Sequence, residues 1–360
     1  MKAGIWGSGK IADTHMEALR SAGIEVEAVV GRRMESAERF ARRWDIPVFG
    51  TDAELLLDRN IQSIHICTPP ALHSDMIQFA LHHQKHVLCE KPLCLSADQA
   101  NQITQLAKEK QCIAAVNFNM RFHLACLQAR EKVRHPDFGD ILLIHGHYLQ
   151  EFHALPALYG WRYHPAVAGH MLAVTEIGTH WLDLVQHISG QNITAVSAMF
   201  ETQSPVRYLR QGRLYAEPGE EAEAEKIHVD MEDRAVVMLK FGRHTLGSLV
   251  LCEAAPGRIN HLSFEITGAK QNIWWNSEEN NALHAAEKGV GIHTEIFPFN
   301  GNGFTDTFRR LVQMYYASIK AGGIQSGSPL PSMEEGARLV QICEAIYQSA
   351  KQNSKWISIS

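Results

Sequence analysis

Three groups of residues in this 360-residue chain have types and spacings suited to chemistry. The first is Glu90-Lys91-Pro92, which abruptly ends the apolar run His86-Val87-Leu88-Cys89. A lysine at the end of a buried strand is costly unless something holds its charge or shifts its pKa. In an open α/β sheet, the carboxyl ends of the strands are where ligands bind. The second group is Glu176, His180 and Asp183, at i, i+4 and i+7, a spacing that puts all three on one face of a helix. An imidazole titrates near neutral pH and can move a proton, and a neighbouring carboxylate can fix its tautomer. The third is Gly7-Ser8-Gly9-Lys10-Ile11-Ala12, directly after the short strand Ala3-Gly4-Ile5-Trp6. In this G-x-G-x-x-A spacing Gly7 allows the tight turn and Gly9 lets a pyrophosphate approach the backbone. Ala12 lets the following helix pack closely, with its N-terminus towards the phosphates.

The elements that must position these groups alternate regularly. A helix over 11–21 is followed by the strand Val26–Val30, a helix over 36–44, a short strand over 47–49 and a helical turn over 52–57. The near-continuous apolar strand Ser63-Ile64-His65-Ile66-Cys67 is of the kind parallel sheets bury on both faces. It stops at Thr68-Pro69-Pro70, which cannot continue a strand. A helix over 73–83, the strand to Cys89, a helix from Ser96 (its N-cap) to Lys110, and the strand Cys112–Val116 complete the pattern. The alternation predicts a doubly wound parallel sheet. Thr68, Pro69, His73, Glu90 and Lys91 then fall on the same edge as the glycine turn. Where an NAD site carries Asp or Glu at the end of its second strand, this chain has Gly31-Arg32-Arg33. Two guanidinium groups suit a 2′-phosphate, which favours NADP over NAD.

Here the chain resembles the glucose-fructose oxidoreductase / inositol dehydrogenase / MocA (Gfo/Idh/MocA) family. The resemblance is carried by GSGKIA, CTPPALH, CEKPL and NFNMRF and extends over nearly the whole chain. It implies a Rossmann NAD(P)-binding domain over 1–122. A C-terminal α+β domain with an open, mostly antiparallel sheet then follows over 123–360, its last helix packing back towards the first domain. It also implies a dehydrogenase that moves hydride at a secondary hydroxyl or keto group of a sugar or polyol. Lys91 would lie near the nicotinamide and the substrate hydroxyl. The family places Asp four residues before its acid/base histidine; this chain keeps the spacing but has Glu176 before His180, a carboxylate displaced by one methylene. Trp161-Arg162 resembles a segment facing the nicotinamide end, and an aromatic face at Trp161 suits a sugar ring. Asn119 and Arg121 follow the last nucleotide-domain strand on the cofactor edge, and with Trp161, Arg162 and Asp183 they make up the expected substrate contacts. The family also contains glycosidases that oxidise, eliminate and re-reduce with a held dinucleotide, and non-catalytic dinucleotide-binding regulators.

The remaining sequence narrows the partners. A net charge of −5 argues against nucleic acid and anionic membranes. The amino end has no secretory pattern and the seven cysteines form no CxxC pair, so buried free thiols and a cytoplasmic location are expected. Histidines are abundant, but His145 and His147 at i, i+2 lack any HxxxH or HExxH helix, and no metal site is expected. The polar, acidic stretch 202–233 reads as a surface loop. Few helices set against many apolar strands between 190 and 300 imply a bare sheet face, supplied in part by Val236, Met238 and Leu239. That face suits a homodimer or homotetramer, the assemblies common in the family.

Overall fold

The computed structural model describes residues 1–219, 224–298 and 301–359. Its contacts divide the chain into two units, one of residues 1–123 with 300–340, the other of 124–299 with 341–360. Where the sequence reading divides the chain at residue 122, both contact units are discontinuous. The segment 300–340 belongs with the first unit.

In that unit six strands form a wholly parallel sheet. They are β1 (Lys2–Trp6), β2 (Glu25–Val30), β3 (Val48–Gly50), β4 (Ile61–Ile66), β5 (His86–Cys89) and β6 (Ala114–Val116), in the order β3-β2-β1-β4-β5-β6. Helices α1 (Lys10–Ser21), α2 (Met34–Trp44), α3 (His73–His82) and α4 (Ala97–Lys110) alternate with them. Sequence alternation and right-handed βαβ crossover account for this order. The helix Phe304–Ala321 adds Phe308, Leu311, Val312, Tyr315 and Tyr316 to a core shared with Met16 and Leu19 of α1. No local motif in the sequence announces that return.

The second unit carries a nine-stranded sheet. Its order is Gly291–Ile296, Ala282–Glu287, Gln271–Asn276, His261–Gly268, Ile141–Leu149, Thr245–Cys252, Arg234–Phe241, Ile193–Glu201 and Ile357–Ser358. Every neighbouring pair is antiparallel except Ile141–Leu149 with Thr245–Cys252. One face is covered by the helix Thr179–Ser189, whose Trp181 indole N–H donates to the Ser263 carbonyl at 2.8 Å. A Cβ on Gly146 would lie 2.6 Å from that indole nitrogen and 2.1 Å from the Ser263 carbonyl, so only glycine permits this close approach.

Two expectations need correction. Residues 202–233 are not a loop: Val206–Arg210, Arg213–Tyr215 and Glu225–His228 join Ala157–Leu158 in a separate four-stranded sheet. The buried Arg207–Asp233 ion pair, 3.0 Å long, anchors it, and no hydropathy pattern reports such a pair. The acidic residues Glu220, Glu221 and Glu223 lie outside the described residues. The strand Arg234–Phe241 alternates strictly between exposed and buried, so Leu239 points into the core while Val236 and Met238 face outward. Val236 is in register with Met199 on one side and Val250 on the other, and all three are exposed, forming an apolar row across the outer face. All seven cysteines are free thiols, and no described helix is long and apolar enough to cross a membrane.

Candidate active site

The glycine turn is shaped as its sequence requires. Gly7 has φ +115°, and a Cβ there would strike the Cys67 carbonyl oxygen at 2.4 Å, so both conformation and space demand glycine. Gly9 caps α1 with no side-chain hydrogen bond to the first-turn N–H groups, and a Cβ on it would meet nothing within 4 Å. An uncapped 12-residue helix facing open space suits a dinucleotide pyrophosphate on Ser8, Gly9, Lys10 and Ile11. Ser8 Oγ lies 3.2 Å from Ser36 Oγ, which donates to the Arg33 carbonyl at 2.8 Å. Gly31 fits tightly between Ser8 and Ala37, where a Cβ would approach within 2.9 and 3.2 Å respectively. Arg32 and Arg33 are exposed at the end of β2. Ser36, which the motif reading passed over, thus braces the turn between the arginines and the glycine loop.

Glu90 and Lys91 play opposite parts. Glu90 is buried, accepting from Asn117 Nδ2 at 2.5 Å and lying 2.8 Å from His15 Nε2. His15 Nδ1 is 2.9 Å from His65 Nδ1, and His65 Nε2 is 3.1 Å from the Tyr316 hydroxyl. Burial alone would lower the His15 pKa, but neighbouring Cys67 and Glu90 outweigh it and the value stands raised. Burial would likewise raise Glu90, and His15, Asn117 and Lys91 bring it below the usual carboxylate value. His65 is held well below its usual value by burial and by the charge on His15. One proton arrangement satisfies all of this: imidazolium His15 donates to Glu90 and to His65, which in turn donates to Tyr316. With Glu90 turned inward, Lys91 stands half-buried at the end of β5. His73 joins the two loops of this edge, its ring nitrogens 2.7 Å from the Thr68 carbonyl oxygen and 2.9 Å from that of Pro92. Asn119 and Arg121 are also buried here, but in structural contacts. Asn119 donates to Thr307 at 2.8 Å, and Arg121 grips Glu335 at 2.9 and 3.2 Å. Both expected substrate contacts are thus engaged within the first unit.

In the second unit Glu176 lies not on a continuous α-helix but in a π-helical segment, Val174–Gly178, that runs into Thr179–Ser189. Such π segments are frequent at functional sites. The segment is fixed by Glu232, whose carboxylate accepts from the Leu172 and Val174 N–H groups at 3.1 and 2.9 Å. Gly178 packs where a Cβ would come within 2.8 Å of Leu251. Glu176 pairs with Arg162, whose guanidinium also stacks on Trp161 4.6 Å from the ring centre, so these three expected residues come together. His180 is half-exposed with its ring centre 6.4 Å from that of Tyr148, and Asp183 is buried on the same helix. Sequence reasoning missed Tyr148, whose hydroxyl donates to Asn260 at 2.5 Å. It also missed His153 and Glu253, which lie close to Glu176. None of these belongs to a short motif, and only the sheet register assembles them.

Fold and glycine turn together define a dinucleotide-dependent oxidoreductase. The chain belongs to the Gfo/Idh/MocA family: residues 1–118 match its NAD-binding Rossmann-fold domain and residues 126–274 its C-terminal domain. It is 28% identical to levoglucosan dehydrogenase of Pseudarthrobacter phenanthrenivorans over 346 residues, 90% of this chain and 87% of that protein. A solved levoglucosan dehydrogenase in complex with NADH and levoglucosan superposes with a TM-score of 0.89 at 26% identity, covering 100% of this chain and 99% of that one. An oxidoreductase domain protein from Kribbella flavida gives a TM-score of 0.91 at 27% identity, covering 99% and 98%.

Proposed function

We propose that this enzyme oxidises a secondary hydroxyl of a cyclic sugar or polyol, with NADP⁺ preferred to NAD⁺ as hydride acceptor. The observation that carries the reading is Lys91, half-buried at the carboxyl end of β5 on the edge that bears Gly7 and Gly9, beside a carboxylate locked inward. The similarity to levoglucosan dehydrogenase supports a sugar-like substrate.

Bound, the dinucleotide supplies the hydride-accepting nicotinamide carbon. The chain's own residues manage the proton and the charge on oxygen. Lys91 donates a hydrogen bond to the reacting oxygen and stabilises the negative charge that builds there as the C–H bond breaks. His180 takes the hydroxyl proton, and Asp183 or Glu176 orients its ring. Trp161, held by the stacked Arg162, offers its face to the sugar. Arg32 and Arg33 receive the 2′-phosphate at the end of β2. The exposed row Met199, Val236 and Val250, with Met238, makes the outer sheet face the contact of a homodimer or homotetramer.

Three outcomes follow. His180→Ala lowers turnover about 10²–10⁴-fold with cofactor affinity nearly unchanged, and Lys91→Met also cuts turnover while the fold persists. Steady-state kinetics with full activity in His180→Ala would refute the assignment. Arg32→Ala and Arg33→Ala each weaken NADP(H) binding by about 1–3 kcal/mol and leave NAD(H) binding nearly constant. Tighter binding of NAD than of NADP by the native enzyme, in parallel titrations, contradicts this. Light scattering at micromolar concentration gives a dimeric or tetrameric mass that the paired change Val236→Lys and Met238→Lys reduces. A monomeric native mass removes the proposed interface.

A further inference from the structure

We propose that His153, Glu176 and Glu253 form a binding site for one divalent transition-metal ion, a site that goes beyond the hydride-transfer reading and does not depend on it. Their ligand atoms all lie within 4.8 Å of one another. His153 Nε2 is 3.5 Å from Glu253 Oε2 and 3.8 Å from Glu176 Oε2. Donors at about 2.1 Å around a tetrahedral ion stand about 3.4 Å apart, so small side-chain movements close the site.

The backbone builds this cluster from segments far apart in sequence. The parallel pairing of Ile141–Leu149 with Thr245–Cys252 continues past both strands, where Gln150 N–H donates to the Cys252 carbonyl and His153 N–H to that of Glu253, each at 2.8 Å. Glu253 N–H donates in turn to the Asp233 carbonyl at 2.9 Å. His153 and Glu253 are therefore fixed side by side, and the π segment delivers Glu176.

Local chemistry points to a cation. The Glu253 side chain is 0% exposed, that of His153 5% and that of Glu176 17%. The buried His153 Nε2 has no hydrogen-bond partner and faces the two carboxylates. Its Nδ1 lies 2.6 Å from the Tyr163 hydroxyl, which accepts from Arg207 Nη1 at 3.3 Å. Arg207 is itself held by Asp233. If Nδ1–H donates to Tyr163, the Nε2 lone pair faces two carboxylates. If Nε2 carries the proton instead, both carboxylates stand beyond ordinary hydrogen-bond reach. An ion bound to Nε2 and one oxygen of each carboxylate gives the orphaned Nε2 a partner, with Nδ1–H oriented by Tyr163 as metal-bound histidines usually are. Arg162 holds the other side of Glu176 and offsets part of the negative charge. Three protein ligands of mixed nitrogen and oxygen type suit zinc or a neighbouring divalent ion, with a coordination position left open.

The test uses the full-length chain, stripped with a chelator and titrated with Zn²⁺ against a chromophoric competitor. The native protein takes up one equivalent, and His153→Gln and Glu253→Gln lose it while retaining native circular dichroism. Tyr163→Phe weakens the same binding about 10-fold or more, as loss of a ligand-orienting partner does. Native crystals soaked in Zn²⁺ provide a measurement that needs no variant: an anomalous peak about 2.0–2.2 Å from His153 Nε2 and from one oxygen of each glutamate. Absence of stoichiometric binding, binding that survives both ligand substitutions, or a peak elsewhere overturns the proposal. A metal-free native enzyme that still reduces dinucleotide with a sugar leaves the dehydrogenase reading standing, so the two readings fail separately.

Discussion

The buried ion pair between His15 and Glu90 is the interaction on which the cofactor-binding unit depends. It joins α1, whose first turn faces the phosphate position, to the end of β5, which presents Lys91. Burying two charges is expensive, and only close geometry with further hydrogen bonds offsets the lost hydration. Asn117 and His65 provide those bonds, and Tyr316 extends the network into the helix Phe304–Ala321. Removing one member of such a pair generally costs about 3–5 kcal/mol, because the other charge is left buried alone. The network also explains a division of labour between adjacent residues. Glu90 is turned inward to hold the loop, and its neighbour Lys91 stands half-buried past the end of β5.

The second unit seats its helix on the sheet by close packing. Trp181 and Gly146 seat the helix on the sheet, and Glu232 ties down the segment before it. Burial pushes the Glu232 carboxyl up to about 7 even though it accepts from backbone N–H groups. The π segment then changes where Glu176 points relative to a regular helix. Its carboxylate engages Arg162 and lies near His153.

Much of the first unit was legible because its signals are local. A glycine turn between strand and helix, apolar runs ended by proline, and a helix N-cap at Ser96 each lie within a few residues, and Ser96 does accept from Gln99 N–H at 3.3 Å. The place of Lys91 just past the end of β5 was legible for the same reason. The role of Glu90 was not, since its partners His15 and Asn117 are 75 and 27 residues away. Arg121 follows the last strand on the ligand edge, but its pairing with Glu335, 214 residues distant, left no local signal. The small sheet over 206–228 was missed because its strands are short and polar, held by the remote Arg207–Asp233 pair. His153 and Glu253 escaped notice because strand register, not spacing, brings them together.

The central claim is that the chain removes hydride from a secondary carbinol carbon of a sugar. It is tested most directly with sugars, levoglucosan first, deuterated at each ring carbinol carbon in turn and incubated with NADP⁺ or NAD⁺. The account predicts net reduction of the added dinucleotide, with deuterium from one carbon position appearing on the nicotinamide and that carbon becoming a ketone. Reduced cofactor without label from any position would contradict it. So would glycosidic cleavage with no net reduction of added dinucleotide.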